Sequence, residues 1–498
     1  MNTNRFAAGI ALSAILSACS VTPRPMSAGE LDQRATDNRV AATADQEPLT
    51  GPIDLYEAMA RALKYNLDYK VEAMQQAVKE RELGLASFDM LPQIVGNAGY
   101  FGRSNEAGAS SLSLLTRRQS LEPSTSTQRD VFAADLSVSW DVLDFGLSYI
   151  RANQKADAVL IAAEERRKVA NRVVEDVRTS YYRAVSAQRL LVKLTQLQGT
   201  ISSTLENSER LASNRKSPPL IALTYQRELI DIEAQVKALS RELQIAKAQL
   251  AALMNLDPGT PYELVLPPRE NELPANAGSG DEQIGVALRN RPELRQFGYQ
   301  ERINRRELDA QILGMFPSLK GFVGINGDTN DFLFNNNWVQ YGAKTSFNLL
   351  NVFRLGAVKK SVRAQGDAIK AKELATAMAV MTQVTVARAR YGLYSSELAT
   401  ARHSHAVQAK IMNQIGGGFK AGAISQQTLL REQMNTLVSE VRYDIAYADA
   451  QNAYANLYAS MGIDTIDPRG VEGESVAAVA GRLKDGWQRR EVAFGGAR

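Results

Sequence analysis

The 498-residue sequence contains one cysteine, Cys19, and two histidines, His403 and His405. A single cysteine excludes an internal disulfide framework, and two histidines leave little material for metal or acid–base chemistry. The histidines are two residues apart, so on a helix they point about 200° away from each other and do not converge on one ion. No grouping of nucleophile, base and oxyanion donors is visible. A non-enzyme is expected, with no cofactor and no metal. The 58 basic and 54 acidic residues give a net charge of +4, too small an imbalance to mark a nucleic-acid partner. No apolar run of 18 residues follows the N-terminal segment, so no transmembrane helix is available. Any membrane crossing must use strands. What is present, 45% hydrophobic and 22% charged residues, is the composition of a packed protein.

Residues 1–18 read as a lipoprotein signal peptide, a charged start ending at Arg5 followed by the apolar run Phe6 to Leu16. The run ends Leu16-Ser17-Ala18-Cys19, which resembles a bacterial lipobox. That resemblance implies cleavage before Cys19 and acylation of its sulfur and new amino group, and Ser20 fits sorting to the outer membrane. Several acyl chains anchor stably, at about 0.8 kcal/mol per buried methylene. Residues 19–50, rich in Pro, Ser, Thr and Ala, read as an extended, acylated tether.

The remainder is duplicated. Ala62-Leu63 matches Ala287-Leu288 and Leu91-Pro92 matches Phe316-Pro317, both at an offset of 225. Trp140 to Phe145 matches Phe347 to Val352, and Met254 to Asp257 matches Met461 to Asp464, at an offset of 207. One insertion of 18 residues, in the connection Arg103 to Asp130, explains the change. The units are 53–257 and 281–464, joined by a segment at 258–280 and followed by a tail at 465–498. The tail, with its glycines and mixed charge, is expected to be loosely held.

Each unit reads helix, strand, strand, long helix, tip, helix. The first helices run from about Leu55 to Met90 and from Glu282 to Met315, stopping before Pro92 and Pro317. Beyond the prolines the period becomes two. Leu319, Val323 and Ile325 alternate with Lys320, Gly324 and Asn326, and Leu136, Val138 and Trp140 alternate with Asp135, Ser137 and Asp141. Strands of 10–12 residues suffice to cross a bilayer, but four cannot close a barrel, so oligomerisation must supply the rest. Proline-free stretches follow, from Gly146 to about Asn214 and from Leu355 to about Gly416. Their apolar residues recur every three or four positions, as in coiled-coil-like helices. Tips are expected at Ser213 to Pro219 and at Gly416 to Ser425, and return helices at Leu220 to Met254 and Gln426 to Met461. The glycine run before Lys420 has the wrong spacing for a phosphate loop, and no strand precedes it.

Together these features resemble the outer membrane efflux protein family, whose best-known member is TolC. Specific similarities are Leu55-x-x-Ala58 through Ala62-Leu63-x-x-Asn66, Leu91-Pro92, and Phe419-x-x-Gly422-x-x-Ser425-x-x-x-Leu429-Leu430. The resemblance implies a mostly α fold with a transmembrane β-barrel portion. Three chains of four strands each would form a homotrimeric 12-stranded barrel, continued by a periplasmic α-helical tube. It further implies a passive exit duct in the bacterial outer membrane, working with a periplasmic adaptor and an inner-membrane transporter in efflux or type I secretion. On this reading Asp135, Asp141, Lys320, Lys344 and Asn348 face the lumen. Thr428 and Arg431 are candidates for a periplasmic gate, and Ser217, Pro218, Leu220, Gly422 and Ser425 for adaptor docking at the tips. The alternative is a lipid-anchored periplasmic coiled-coil scaffold or adaptor.

Overall fold

A computed structural model describes residues 23–44, 46–120, 122–213, 219–257, 259–269, 273, 278–463 and 470–495. The lipidation candidate Cys19 and the tip candidates Ser217 and Pro218 lie outside them.

Helix α1 (Ala28–Ala42) occupies the stretch expected to be extended. Its cause is local: the Ser27 hydroxyl accepts from the Glu30 amide while the Glu30 carboxylate accepts from the Ser27 amide, a capping box. None of its residues is buried, so no apolar stripe announces it.

The first helix of each unit is two helices. In the first unit α2 (Leu55–Tyr65) and α3 (Leu67–Phe88) meet at Asn66, whose amide caps Ala62 and whose side chain accepts from the Tyr69 amide. In the second unit α6 (Gly280–Asn290) and α7 (Pro292–Leu313) meet at Arg291, 225 positions on. There Pro292 disfavours helix in the residue before it while suiting the first turn of the next.

Four antiparallel strands, β1 (Gln93–Gly102), β2 (Asp130–Asp141), β3 (Ser318–Asp328) and β4 (Asn337–Ser346), form one sheet in that order. The long helices are α4 (Val142–Ser213) and α8 (Asn351–Lys420), of 72 and 70 residues, each about 105–110 Å long. The return helices α5 (Pro219–Leu253) and α9 (Gln426–Ser460) have 35 residues each. Gly416 to Gly418, expected in the tip, are the last turns of α8; the turn itself is 421–425, with Gly422 at φ +73°.

The return helices run end to end into the upper ones. At the end of α9, Gly462 has φ +69°, and a Cβ there would sit 2.7 Å from the carbonyl carbon of Asn290 and 2.8 Å from the nitrogen of Arg291. The end of α9 therefore abuts the start of α7. In the first unit Asn255, 207 positions earlier, also has positive φ, and Asn66 Nδ2 donates to the Leu253 carbonyl, tying α5 to α3. The combined column α7 and α9 packs against both α4 and α8, whereas α3 and α5 pack against α4.

A 3₁₀ turn (Val471–Gly473) and helix α10 (Val476–Gly495) end the described chain. The expected loose tail is instead part of the main core: Val471, Val476, Val479 and Leu483 are buried with Met59, Leu63, Val177 and Met254. Spacings of three and four put those side chains on one stripe facing α2. Trp487 on α10 lies against Tyr454 and Tyr458, with the Arg178 guanidinium 3.8 Å from its ring centroid.

Candidate functional site

Cross-strand register assigns every strand residue to a face. Ile94, Tyr100, Leu136, Val138, Trp140, Leu319, Val323, Ile325, Val339 and Tyr341 share one face. All ten are exposed. The opposite face carries Asn97, Asp135, Ser137, Asp141, Lys320, Asn326, Gln340 and Lys344. Asp135 accepts from Asn97 Nδ2 at 3.0 Å, and Lys320 stands in register between Asp141 and Lys344. Four of the five lumen candidates thus lie on one polar face. Asn348 does not: it follows β4, and its side chain accepts from the Leu350 amide at 3.1 Å. Asp141, 207 positions earlier, does the same for Leu143 at 2.8 Å. Both are turn residues that start the long helices.

In the chain by itself, β1 and β4 are edges of a sheet whose apolar face no described residue covers. In water such a surface invites aggregation, and in lipid its unpaired amides and carbonyls cost several kcal/mol each. A second uncovered surface runs along α3, where Leu67, Val71, Met74, Val78, Leu85 and Phe88 recur at helical spacing and are all exposed.

At the tip, Ser425 is an N-cap that accepts from the Thr428 amide, and its hydroxyl lies 3.0 Å from that of Thr428. Gly422 and Ser425 shape the turn, and Leu220 is exposed at the start of α5. Arg431 ion-pairs with Glu228 of α5 at 3.1 Å, and Gln427 donates to the same carboxylate. Gln426 donates to Thr204 of α4 at 3.4 Å. The start of α9 is thereby fastened to both helices of the first hairpin. Glu228 and Thr204, which complete these links, carry no motif of their own in the sequence.

Near the middle of the bundle, two charged groupings also escaped sequence reasoning. Asp444, 5% exposed, accepts from Arg269 at 2.6 Å and Arg189 at 3.2 Å, joining α9 to α4 and to the segment after the first unit. Beside the α9–α7 junction lies a groove of about 630 Å³ lined by Glu175, Asp449 and Asn452, among others. Burial raises the Glu175 carboxyl above its usual range and Asp176 adds to this, opposed by Asn456 and Arg291. Burial also raises Asp449. Among the described residues no group of three or more metal-ligating side chains occurs, and no helix is long and apolar enough to cross a membrane.

No protein-family model matches the sequence, and no curated protein matches it. The fold does have solved counterparts. The Campylobacter jejuni CmeC outer membrane channel superposes with a TM-score of 0.64 at 13% identity, covering 94% of this chain and 97% of that one. CusC, described as forming a transmembrane channel, gives 0.61 at 17% identity, covering 89% and 99%. The open state of the Neisseria gonorrhoeae MtrE outer membrane channel gives 0.58 at 16%, covering 82% and 88%. Over nearly the full length of those proteins, this chain has the fold of the TolC-like outer-membrane efflux channels.

Proposed function

We propose that three copies of this chain form a passive duct through the outer membrane, the exit component of an export machine that also includes a periplasmic adaptor and an inner-membrane transporter. The observation that carries this reading is the sheet: four strands of membrane length, one face apolar and uncovered, both edges open, each repeat leading into a helix of about 100 Å. A lipid-anchored scaffold has no use for such a face. The apolar side meets lipid, and the side carrying Asp135, Asp141, Lys320 and Lys344 lines a polar lumen. Acylated Cys19 adds an anchor. Ser217, Pro218, Leu220, Gly422 and Ser425 form the tips that meet the adaptor. The Arg431–Glu228 and Gln426–Thr204 links hold the periplasmic end closed, with Thr428 in the cap between them.

The repeat also supplies the joint between copies. Inside the chain β2 of one unit pairs with β3 of the next, Leu136 opposite Ile325. Shifting each residue to its counterpart in the other unit, by 207 and 225, places Ala343 of one copy opposite Tyr100 of the next. The register of β3 on β4 already reproduces that of β1 on β2 under the same shifts. Directly opposed residues have Cα atoms about 4.5–5.5 Å apart, within disulfide reach.

The test is oxidation of the Y100C/A343C variant in membranes, followed by single-channel recording of the purified protein in planar bilayers. Covalent trimers are expected, whereas F101C/A343C, whose side chains point to opposite faces, stays monomeric. Conductance steps are expected from the wild type, more frequent in R431A/E228Q. Monomers from both cysteine pairs, together with silence from R431A/E228Q, would overturn the duct.

A further inference from the structure

The groove beside the α9–α7 junction is walled by α4, α8 and α9. On α9 its residues Asp449, Asn452, Ala453 and Asn456 form a stripe at positions i, i+3, i+4 and i+7. The opposite side of the same helix turns Tyr454 and Tyr458 onto Trp487 of α10. Glu175 and Asn456 stand between the groove and a small cavity beside Trp487.

Its polar groups are unbalanced. Asn452 is 9% exposed, and its Oδ1 is buried without a hydrogen-bond donor. Glu175 and Asp449 line the same cavity, and burial disfavours the charged form of each. The cation deepest in the groove, Arg291, donates to the Ala459 carbonyl, to Glu293 and to Gln383, and its Nε is buried without an acceptor. Arg390 sits exposed on the rim, free to turn to water. Against that one unmet donor of Arg291 stand Asn452 Oδ1 and the carboxylates of Glu175 and Asp449. Val386, Ala387, Ala453 and Ala459 supply the apolar part of a wall that also carries Thr179 and Thr382, and a volume near 630 Å³ takes a small organic molecule.

We propose that this groove binds an amphiphilic organic ammonium ion, its N–H groups meeting Glu175, Asp449 and Asn452 Oδ1 and its alkyl part lying on Val386 and Ala453. A desolvated carboxylate gains most from a cation that also donates hydrogen bonds, and an orphaned buried acceptor is relieved by the same donor. That the ligand would be exported cargo rests on the duct reading; the chemistry of the site does not.

The experiment is isothermal titration of hexylammonium chloride into full-length protein in detergent, against a matched micelle blank, with sodium hexanesulfonate as the anionic counterpart. Saturable binding of one hexylammonium per chain is expected, at least tenfold weaker in E175Q/D449N and at least threefold weaker in N452L, with no saturable binding of hexanesulfonate. Neutral amides relieve buried carboxylates, so the double variant should keep its native circular dichroism; should it unfold, E175Q by itself, at least threefold weaker, decides. Hexylammonium binding that is absent, unchanged by these substitutions or equalled by hexanesulfonate overturns the site. Conductance of the same preparations separates the two proposals. A conducting protein that does not bind refutes the groove, and a binding protein whose cysteine pairs stay monomeric and whose R431A/E228Q variant stays silent refutes the duct.

Discussion

Gly462 is the position where one atom costs most, because two separate penalties meet there. Its φ of +69° is left-handed, which costs an alanine about 1–2 kcal/mol. A Cβ would also stand 2.7, 2.8 and 2.9 Å from backbone atoms of Asn290 and Arg291. Those atoms end α6 and begin α7, so no flexible side chain can yield, and forced overpacking of this kind costs about 1–3 kcal/mol. G462A should therefore lose about 2–5 kcal/mol. Gly422 is the control: its φ is +73°, and nothing lies within 4 Å of its would-be Cβ, so G422A should lose only the conformational part, about 1–2 kcal/mol. G462N separates the penalties, since asparagine tolerates left-handed backbone but carries the offending Cβ; it should still lose about 1–3 kcal/mol. Urea unfolding of the detergent-solubilised chain, followed by far-ultraviolet circular dichroism, measures all three. A G462A variant no less stable than G422A, or a neutral G462N, would refute the end-to-end junction of α9 and α7.

Asp444→Ala removes the carboxylate shared by Arg189 and Arg269, leaving them the Pro267 carbonyl and Glu440 at 3.7 Å, and should cost about 3 kcal/mol, read in the same unfolding assay; a loss under 1 kcal/mol would mean that solvent already screens the cluster. Trp487→Ala should cost about 3–5 kcal/mol through lost contact with Arg178, Tyr454 and Tyr458. With Trp140 and Trp338 replaced by phenylalanine, a red shift of the remaining Trp487 emission before global unfolding would contradict a C-terminal helix docked in the core. Glu175 yields a pH dependence. Burial, then Asp176, raises its folded pKa above the ordinary value, so the folded state holds the proton longer than the unfolded chain. Stability is lost as pH rises from the unfolded value through the folded one. The difference in Tm between E175Q and wild type should be smallest near pH 4, grow through that window and then level off; a pH-independent difference would contradict the assignment.

Much of the architecture was legible because it is written twice. Offsets of 225 and 207 located both units, and prolines 92 and 317 marked where the period changes from 3.6 to 2. The return helices, expected at Leu220 to Met254 and Gln426 to Met461, span Pro219–Leu253 and Gln426–Ser460. Capping escaped notice where periodicity was the only guide: Asn66 divides a helix that hydropathy alone would run through, and Ser27 with Glu30 starts one that has no apolar stripe. The glycines at 416–418 suggested a turn, but a glycine costs a helix only about 1 kcal/mol. The break falls where Gly422 supplies positive φ and Ser425 caps the next helix. Arg431 was singled out without its partner. Glu228 lies on the other hairpin, and nothing local in either segment signals that the two meet.

The duplicated design also bears on how copies of the chain would join in the proposed trimer. The column α7 and α9 is lodged between two long helices, α4 and α8. Its counterpart α3 and α5 has the same helix lengths, 22 and 35 residues, but α3 leaves six large apolar side chains, Leu67 to Phe88, exposed. The stripe that repeats would conceal is bare on the side where a neighbouring α8 would stand, and α8 itself exposes Leu374, Met378 and Leu393. The sheet is bare at β1 and β4 in the same sense. The pairing of β2 with β3 and the packing of α7 and α9 on α4 thus have unmade twins at the chain's ends, which the proposed assembly would reuse. Burying these twins at about 25 cal/mol per Å² of apolar surface reuses the packing that already holds the two halves of one chain together. In the proposed trimer, that economy would let a protein with so few special residues specify a large closed structure.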